Sequence, residues 1–270
     1  MKPMDRQGAN ASTTISSQSS EVSIQFYGAA ETVTGSRFLV THDKIKIMID
    51  CGMFQGEREV EKLNNEPFPF NIEELSAVLL THAHLDHCGA LPILSKNGYE
   101  GPVYSTSYTR KIAETVLLDS AHLQMQEAKF DDDHNSSGSH KHSHDDHHEW
   151  KQNHEPLYND KDVEKLMPQF KVVDVRTRVE IYPEVFATFY LSGHILGSSY
   201  IHLEIGGKNI LFTGDMGRGN HPILSGPDLP PAVKIDAVIT ESTYGAVTHD
   251  NDLTHFSTQL NDAIARGGSI

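Results

Sequence analysis

Cysteine is nearly absent from this chain. Only Cys51 and Cys88 occur in 270 residues, which excludes a disulfide framework and points to a reducing compartment. No apolar run approaches the roughly 20 residues that a bilayer demands, and 1–20 lacks the apolar centre of a secretory signal. The expectation is a cytoplasmic protein with no membrane partner. Positive charge is scarce as well. Lys and Arg total 22 against 37 Asp and Glu, for a net charge of −15. That balance excludes broad nonspecific affinity for nucleic acid, which needs a basic surface, but leaves room for a small basic groove on an acidic protein. The hydrophobic fraction of 37% is low for a compact domain. Histidine, at 17 residues, is abundant.

Two polar stretches account for part of the apolar deficit. Residues 1–20 are rich in Ser, Thr, Gln and Asn and read as a disordered tail, with order beginning near Glu21. Residues 131–155 open on Asp131-Asp132-Asp133 and hold His134, His140, His142, His144, His147, His148 and His154. This low-complexity His/Asp segment reads as a solvated, disordered insertion. A sharper reading is weak scavenging of zinc or nickel. The tract has no fixed ligand spacing, so it stays outside the candidate site.

Between and after these stretches the pattern is mostly that of strands. Val22–Gly28, Phe38–Thr41, Ile45–Asp50, Ala77–Leu80 and Pro102–Ser105 have the alternation or apolar content of strands. So do Phe170–Val175, Thr177–Tyr182, Val185–Leu191, Ser199–Glu204, Lys208–Thr213 and Ala237–Thr240. Residues 53–75 read as an irregular loop with a short helix near Ile72–Leu75. Helical periodicity marks Ser107–Lys129, Asp162–Met167 and Asn251–Arg266. His122, alone on the first of these helices, reads as a surface or structural residue.

The chemistry concentrates in Thr81-His82-Ala83-His84-Leu85-Asp86-His87-Cys88-Gly89, just past the strand at Ala77–Leu80. Open α/β folds commonly place ligand sites at such carboxyl ends. Residues two apart in an extended segment point the same way, so His82 and His84 can hold one ion together. If the chain then turns into a loop, Asp86 and His87 can face a second. Imidazoles with a carboxylate suit zinc, and a site not closed by thiolates keeps a position for water. Asp50, His194, Asp215 and Glu241 also lie at or just past strand ends, and that shared placement makes one common site the simplest explanation.

These pieces resemble the metallo-β-lactamase superfamily, and more closely its β-CASP branch of RNA-processing nucleases. The resemblance rests on Thr34-Gly35-Ser36, Asp50-Cys51-Gly52, His82 through Pro92, Ser192-Gly193-His194-Ile195-Leu196-Gly197-Ser198, Thr213-Gly214-Asp215-Met216-Gly217-Arg218 and Glu241-Ser242-Thr243-Tyr244-Gly245. The His-x-His-x-Asp-His stretch indicates only the superfamily. The Glu-Ser-Thr-Tyr-Gly element and the Cys-Gly-Ala-Leu-Pro extension point to the branch.

The resemblance implies an α/β fold, an αββα sandwich over 21–240, with 241–270 as the start of a β-CASP domain. It assigns His82, His84 and His194 to one zinc ion, Asp86 and His87 to another, and Asp215 to both. Asp50 and Glu241 stand behind these ligands in support of catalysis, and Asp86 serves the reaction as well as the metal. RNA is the expected substrate, cut by water activated between two Zn2+ ions. A homodimer is left open. The family's later histidine motifs have no counterpart here. The expectation is therefore a sandwich incomplete at its C-terminus, short of a ligand for the second zinc. Two rivals remain: a hydrolase of the same fold acting on a thioester or lactone, and a non-catalytic metal-binding protein.

Overall fold

The computed structural model describes residues 12–15, 21–136, 155–220, 222–247 and 254–268. Two β-sheets lie face to face. In the first, β1 (Ser12–Ile15), β2 (Val22–Phe26), β3 (Phe38–His42) and β4 (Ile45–Ile49) run antiparallel. Next come β5 (Ala77–Leu79), β6 (Val103–Thr106) and β7 (Phe170–Val173), all parallel to β4. The second sheet is an antiparallel run of β8 (Arg178–Tyr182), β9 (Val185–Leu191), β10 (Ser199–Ile205) and β11 (Lys208–Phe212). At its edge β12 (Ala237–Ile239) pairs parallel to β11.

Among the described residues, six α-helices accompany the sheets: α1 (Arg58–Glu61), α2 (Leu85–Cys88), α3 (Leu91–Lys96), α4 (Ser107–Ser136), α5 (Asp160–Leu166) and α6 (Thr254–Ala265). Asn159 starts α5 with a capping box. Its side chain accepts from the helix backbone while Asp162 reaches back to the Asn159 N–H.

Strand alternation sorts side chains into two cores. On β4, Ile47 and Ile49 point toward the second sheet while Met48 points toward the helices; on β5, Ala77 and Leu79 oppose Val78 and Leu80 in the same way. Between the sheets, Val22, Ile24, Val40 and Ile49 meet Phe189, Ile201, Leu203 and Phe212. On the far side of the first sheet, Leu91 and Leu94 of α3, Leu117 of α4 and Leu166 of α5 are fully buried against Val78, Leu80 and Val103. Burial on both faces explains why β5 reads as an unbroken apolar run. Among the described residues, α6 has no extensive contact with another element, and Val238 on β12 is 55% exposed.

Three expectations need correction. The N-terminal tail was expected to stay disordered up to Glu21, yet Ser12–Ile15 pairs with β2. Its β-branched Thr-Thr-Ile suits a strand, and β2 offers it an open edge. Helix α4 continues past Lys129 to Ser136, so the first residues of the His/Asp insertion prolong a helix already nucleated upstream. The rest of that insertion, 137–154, lies outside the described residues. Finally, Leu85–Cys88 is a helical turn rather than a loop, and α3 was not foreseen. Runs of four to six residues are too short to display a 3.6-residue period.

Candidate metal centre

Parallel pairing of β4 with β5 and of β11 with β12 brings four carboxyl ends to one edge of the sandwich. β9 ends there too, because it is parallel to β11 across their shared neighbour β10. The segment after β5 is tied to the second sheet where Ser199 N–H donates to Thr81 O at 2.9 Å. Residues far apart in sequence therefore converge.

His82 Nε2 lies 3.1 Å from His84 Nδ1, and His84 Nδ1 lies 3.2 Å from His194 Nε2. Asp215 Oδ2 is 3.3 Å from His194 Nε2 and 3.8 Å from His82 Nε2. All four donor atoms fall within 4.8 Å of one another. A zinc ion about 2.0–2.1 Å from each of four tetrahedral ligands separates those ligands by about 3.3 Å. The spacing therefore fits one small ion, and three nitrogens with one oxygen is a donor set suited to zinc. Asp215 turns its other oxygen away from this group. Its Oδ1 lies 3.3 Å from His87 Nε2, and His87 Nε2 lies 3.7 Å from Asp86 Oδ2. Asp215 is thus shared between a four-donor group and a second set made with Asp86 and His87.

Burial and neighbouring charge set protonation. Burial, reinforced by the imidazoles of His87, His84 and His194, holds the pKa of His82 well below its ordinary value. Burial and the adjacent His194 also lower His84. Burial opposes a charge on His87, but the Asp50 and Asp215 carboxylates outweigh it and push its pKa up to about 10. For Asp215, burial acts to raise the pKa, while the His87 hydrogen bond and neighbouring imidazoles prevail and lower it.

Behind the donors lies one buried anion. Asp50 is fully buried and sits at φ 56°, a strained left-handed setting that Asp tolerates better than most residues. Its Oδ1 accepts from Thr81 N–H at 2.7 Å. Its Oδ2 accepts from the Thr81 hydroxyl at 2.8 Å and from His87 Nδ1 at 2.7 Å. The Thr81 hydroxyl proton is thereby committed, so its oxygen accepts from His82 Nδ1 at 3.0 Å. Both imidazoles consequently commit an Nδ1 proton to these bonds and turn Nε2 toward the donor groups.

A family model described as the metallo-beta-lactamase superfamily matches residues 32–251. The chain belongs to that superfamily. Over 247 residues it is 32% identical to Ribonuclease TTHA0252 of Thermus thermophilus, covering 90% of this chain and 49% of that protein. It is 31% identical to Transcription termination factor FttA of Methanocaldococcus jannaschii, covering 83% of this chain and 32% of that one. To Cleavage and polyadenylation specificity factor 73 of Drosophila melanogaster it is 29% identical, covering 93% and 33%. The chain spans between a third and a half of the length of these relatives, whose kind is consistent with the β-CASP branch of the superfamily. Among the described residues no helix is long and apolar enough to cross a membrane.

Of the residues singled out from sequence, His82, His84, Asp86, His87, His194 and Asp215 meet in one cluster, with Asp50 beneath them. Glu241 stands apart from the donors. Its Oε1 accepts from Met216 N–H at 2.8 Å, so it holds the backbone next to Asp215. His122 is exposed and pairs with Asp160 at 2.9 Å, away from the centre. A cleft of about 360 Å³ adjoins the second donor set, bordered by Val33, Phe38, Asp215, Glu241 and Thr243.

Sequence reasoning passed over Thr81 and Arg37. Thr81 precedes the first histidine and points oppositely along the strand, which is the only signal it offers. The Arg37 guanidinium is buried between the rings of Phe54 and Phe68, at 4.9 and 5.1 Å, and its Nε donates to Gly52 O at 2.8 Å. No motif announces it. Outer partners of metal-ligating histidines carry about 10–100-fold in metal affinity. Asp50→Asn is expected to weaken metal binding within that range while leaving every direct donor in place, as competition with a chromogenic chelator would measure. Wild-type affinity in that variant would refute the orienting role.

Proposed function

We propose that this chain is a zinc-dependent hydrolase that cleaves phosphodiester bonds of RNA at a two-metal centre. The observation that carries the reading is the division of Asp215, with one oxygen toward His82 and His194 and the other toward His87. The relatives named as a ribonuclease and an RNA 3′-end factor support the choice of substrate. Zinc, when bound, supplies Lewis acidity toward phosphoryl oxygens and lowers the pKa of water at neutral pH.

The residues prepare that chemistry. His82, His84, His194 and Asp215 would hold one ion, and Asp86 and His87, with Asp215, would hold a second. Asp50 fixes the His87 ring directly and the His82 ring through the Thr81 hydroxyl, so that both present Nε2 to the site. Glu241 immobilises the turn that carries Asp215. Asp86 and Asp215 are about one-fifth exposed and His194 about one-quarter, so they line the accessible side of the centre, while His82 and His87 close its floor.

A mononuclear centre is the second reading. One observation favours it: among the described residues only His82, His84, His194 and Asp215 form a complete four-donor group. Metal analysis and a cleavage assay separate the two. A deletion of 137–154 removes histidines that would inflate the metal count. The expected result is two zinc ions per chain and chelator-sensitive cleavage of labelled single-stranded RNA. Hydrolysis of a thioester panel with RNA left intact would overturn the substrate assignment, and a single retained ion would overturn the two-metal centre.

A further inference from the structure

The loop that carries His194 rests on the first turn of α4. The hydroxyls of Thr106 and Thr109 both donate to Gly197 O at 2.8 Å. Gly197 has φ 83°, and a Cβ placed there would meet Thr109 N and Tyr108 Cβ at 2.6 Å. Only glycine permits so close an approach. The backbone and Cβ of Tyr108 therefore pack directly against the His194 loop, and Gly197 lies three residues beyond His194, a reach of at most about 11 Å.

Two large apolar side chains stay uncovered at this junction. Tyr108 is 53% exposed and Leu196 is 50% exposed. Lys111, one turn along the same helix face, places its Nζ 5.8 Å from the Tyr108 ring centroid. No acidic residue lies in the first turn of α4, although the protein as a whole carries −15. An exposed ring beside a cation, with an exposed aliphatic neighbour, combines the two features by which proteins hold single-stranded nucleic acid: a face for the base and a positive charge for the backbone.

We propose that Tyr108, with Leu196 and Lys111, forms a stacking subsite that holds one base of a single-stranded RNA next to the metal centre. The assignment rests on the reading of the centre as an RNA hydrolase and extends it to a substrate contact. Tyr108 supplies the ring face, Leu196 supplies an apolar side, and Lys111 faces the adjoining phosphate. Continuity with the His194 loop makes the strand's path run from this platform to the metal donors.

The test uses the full chain and a short oligoadenylate whose phosphodiesters are protected by phosphorothioate substitution, read by fluorescence anisotropy. A matched strand carries one abasic position at each site in turn. For the unaltered protein, one abasic position is expected to weaken binding about tenfold, within the range of a single base stacked on an aromatic ring. Tyr108→Ala is expected to lose about the same factor on the intact strand and to become indifferent to the abasic position. Tyr108→Trp is expected to retain the discrimination, and Lys111→Gln to reduce the slope of log Kd against log salt by about one. Zinc content of each variant serves as the folding control. The subsite is overturned if Tyr108→Ala binds as tightly as the unaltered protein with its sensitivity to the abasic strand intact. In that event chelator-sensitive RNA cleavage by the unaltered protein would still stand. If the unaltered protein neither binds nor cuts RNA, the hydrolase reading fails and the subsite fails with it.

Discussion

Asp215→Ala is expected to strip metal from the protein and to cut RNA cleavage by at least about 1,000-fold, near 4 kcal/mol of barrier at 1.36 kcal/mol per decade. The size of the effect follows from position. Asp215 is the side chain that reaches both donor groups, at 3.3 Å from His194 Nε2 on one side and 3.3 Å from His87 Nε2 on the other. Without it the first group keeps three imidazoles, and the second keeps only Asp86 and His87. Asp215→Asn provides the sharper comparison, since it preserves volume and removes the anion. Metal analysis after exhaustive dialysis, followed by single-turnover cleavage, measures both losses. Full zinc content in Asp215→Ala would refute the shared-ligand role.

Gly52→Ala carries the second large effect, and it acts through the backbone. A Cβ at Gly52 would lie 1.6 Å from Asp86 O and 2.1 Å from Asp86 C. Neither atom belongs to a flexible side chain, so the end of β4 must part from α2. That contact is laced by hydrogen bonds. Cys51 N–H donates to His87 O and Met53 N–H to Leu85 O, each at 2.8 Å, and Ser36 N–H donates to Asp86 O at 2.8 Å. The carbonyls of α2 are thus held by neighbouring strand ends, and Arg37 secures the Gly52 carbonyl from the other side. Overpacking of this kind costs about 3 kcal/mol or more when backbone must move. For a chain this size that is a fall in Tm of about 10 °C. Calorimetry on the metal-free protein reads it directly, and zinc analysis is expected to show weakened binding at Asp86 and His87. A Tm within about 2 °C of the unaltered protein would mean that the strand end and α2 are not locked together as described.

Both effects bear on how much was legible beforehand. Strand positions were readable because alternation and apolar runs report burial directly: the predicted Val185–Leu191 coincides with β9. That His82, His84, His194 and Asp215 come together was readable because His and Asp types cluster at strand ends, where parallel neighbours present their loops together. Residues 12–15 and α2 were misjudged for a different reason. Each is short, and its conformation is set by what lies beside it: β2 for the former, the ends of β3 and β4 for the latter.

What the sequence determined by itself is local and periodic. It includes which segments are strands, which strand ends carry the clustered His and Asp residues, and which superfamily the motifs resemble. What only the tertiary structure decided depends on partners remote along the chain. Asp50 and His87 are 37 residues apart, and His84 and His194 are 110 apart. The buried anion that orients two imidazoles, the guanidinium stacked between two rings and the tyrosine clamped beside the His194 loop all arise from such pairs. A side chain's type states which bonds it can form, whereas the neighbour that receives them is chosen by packing, and packing is a property of the whole fold.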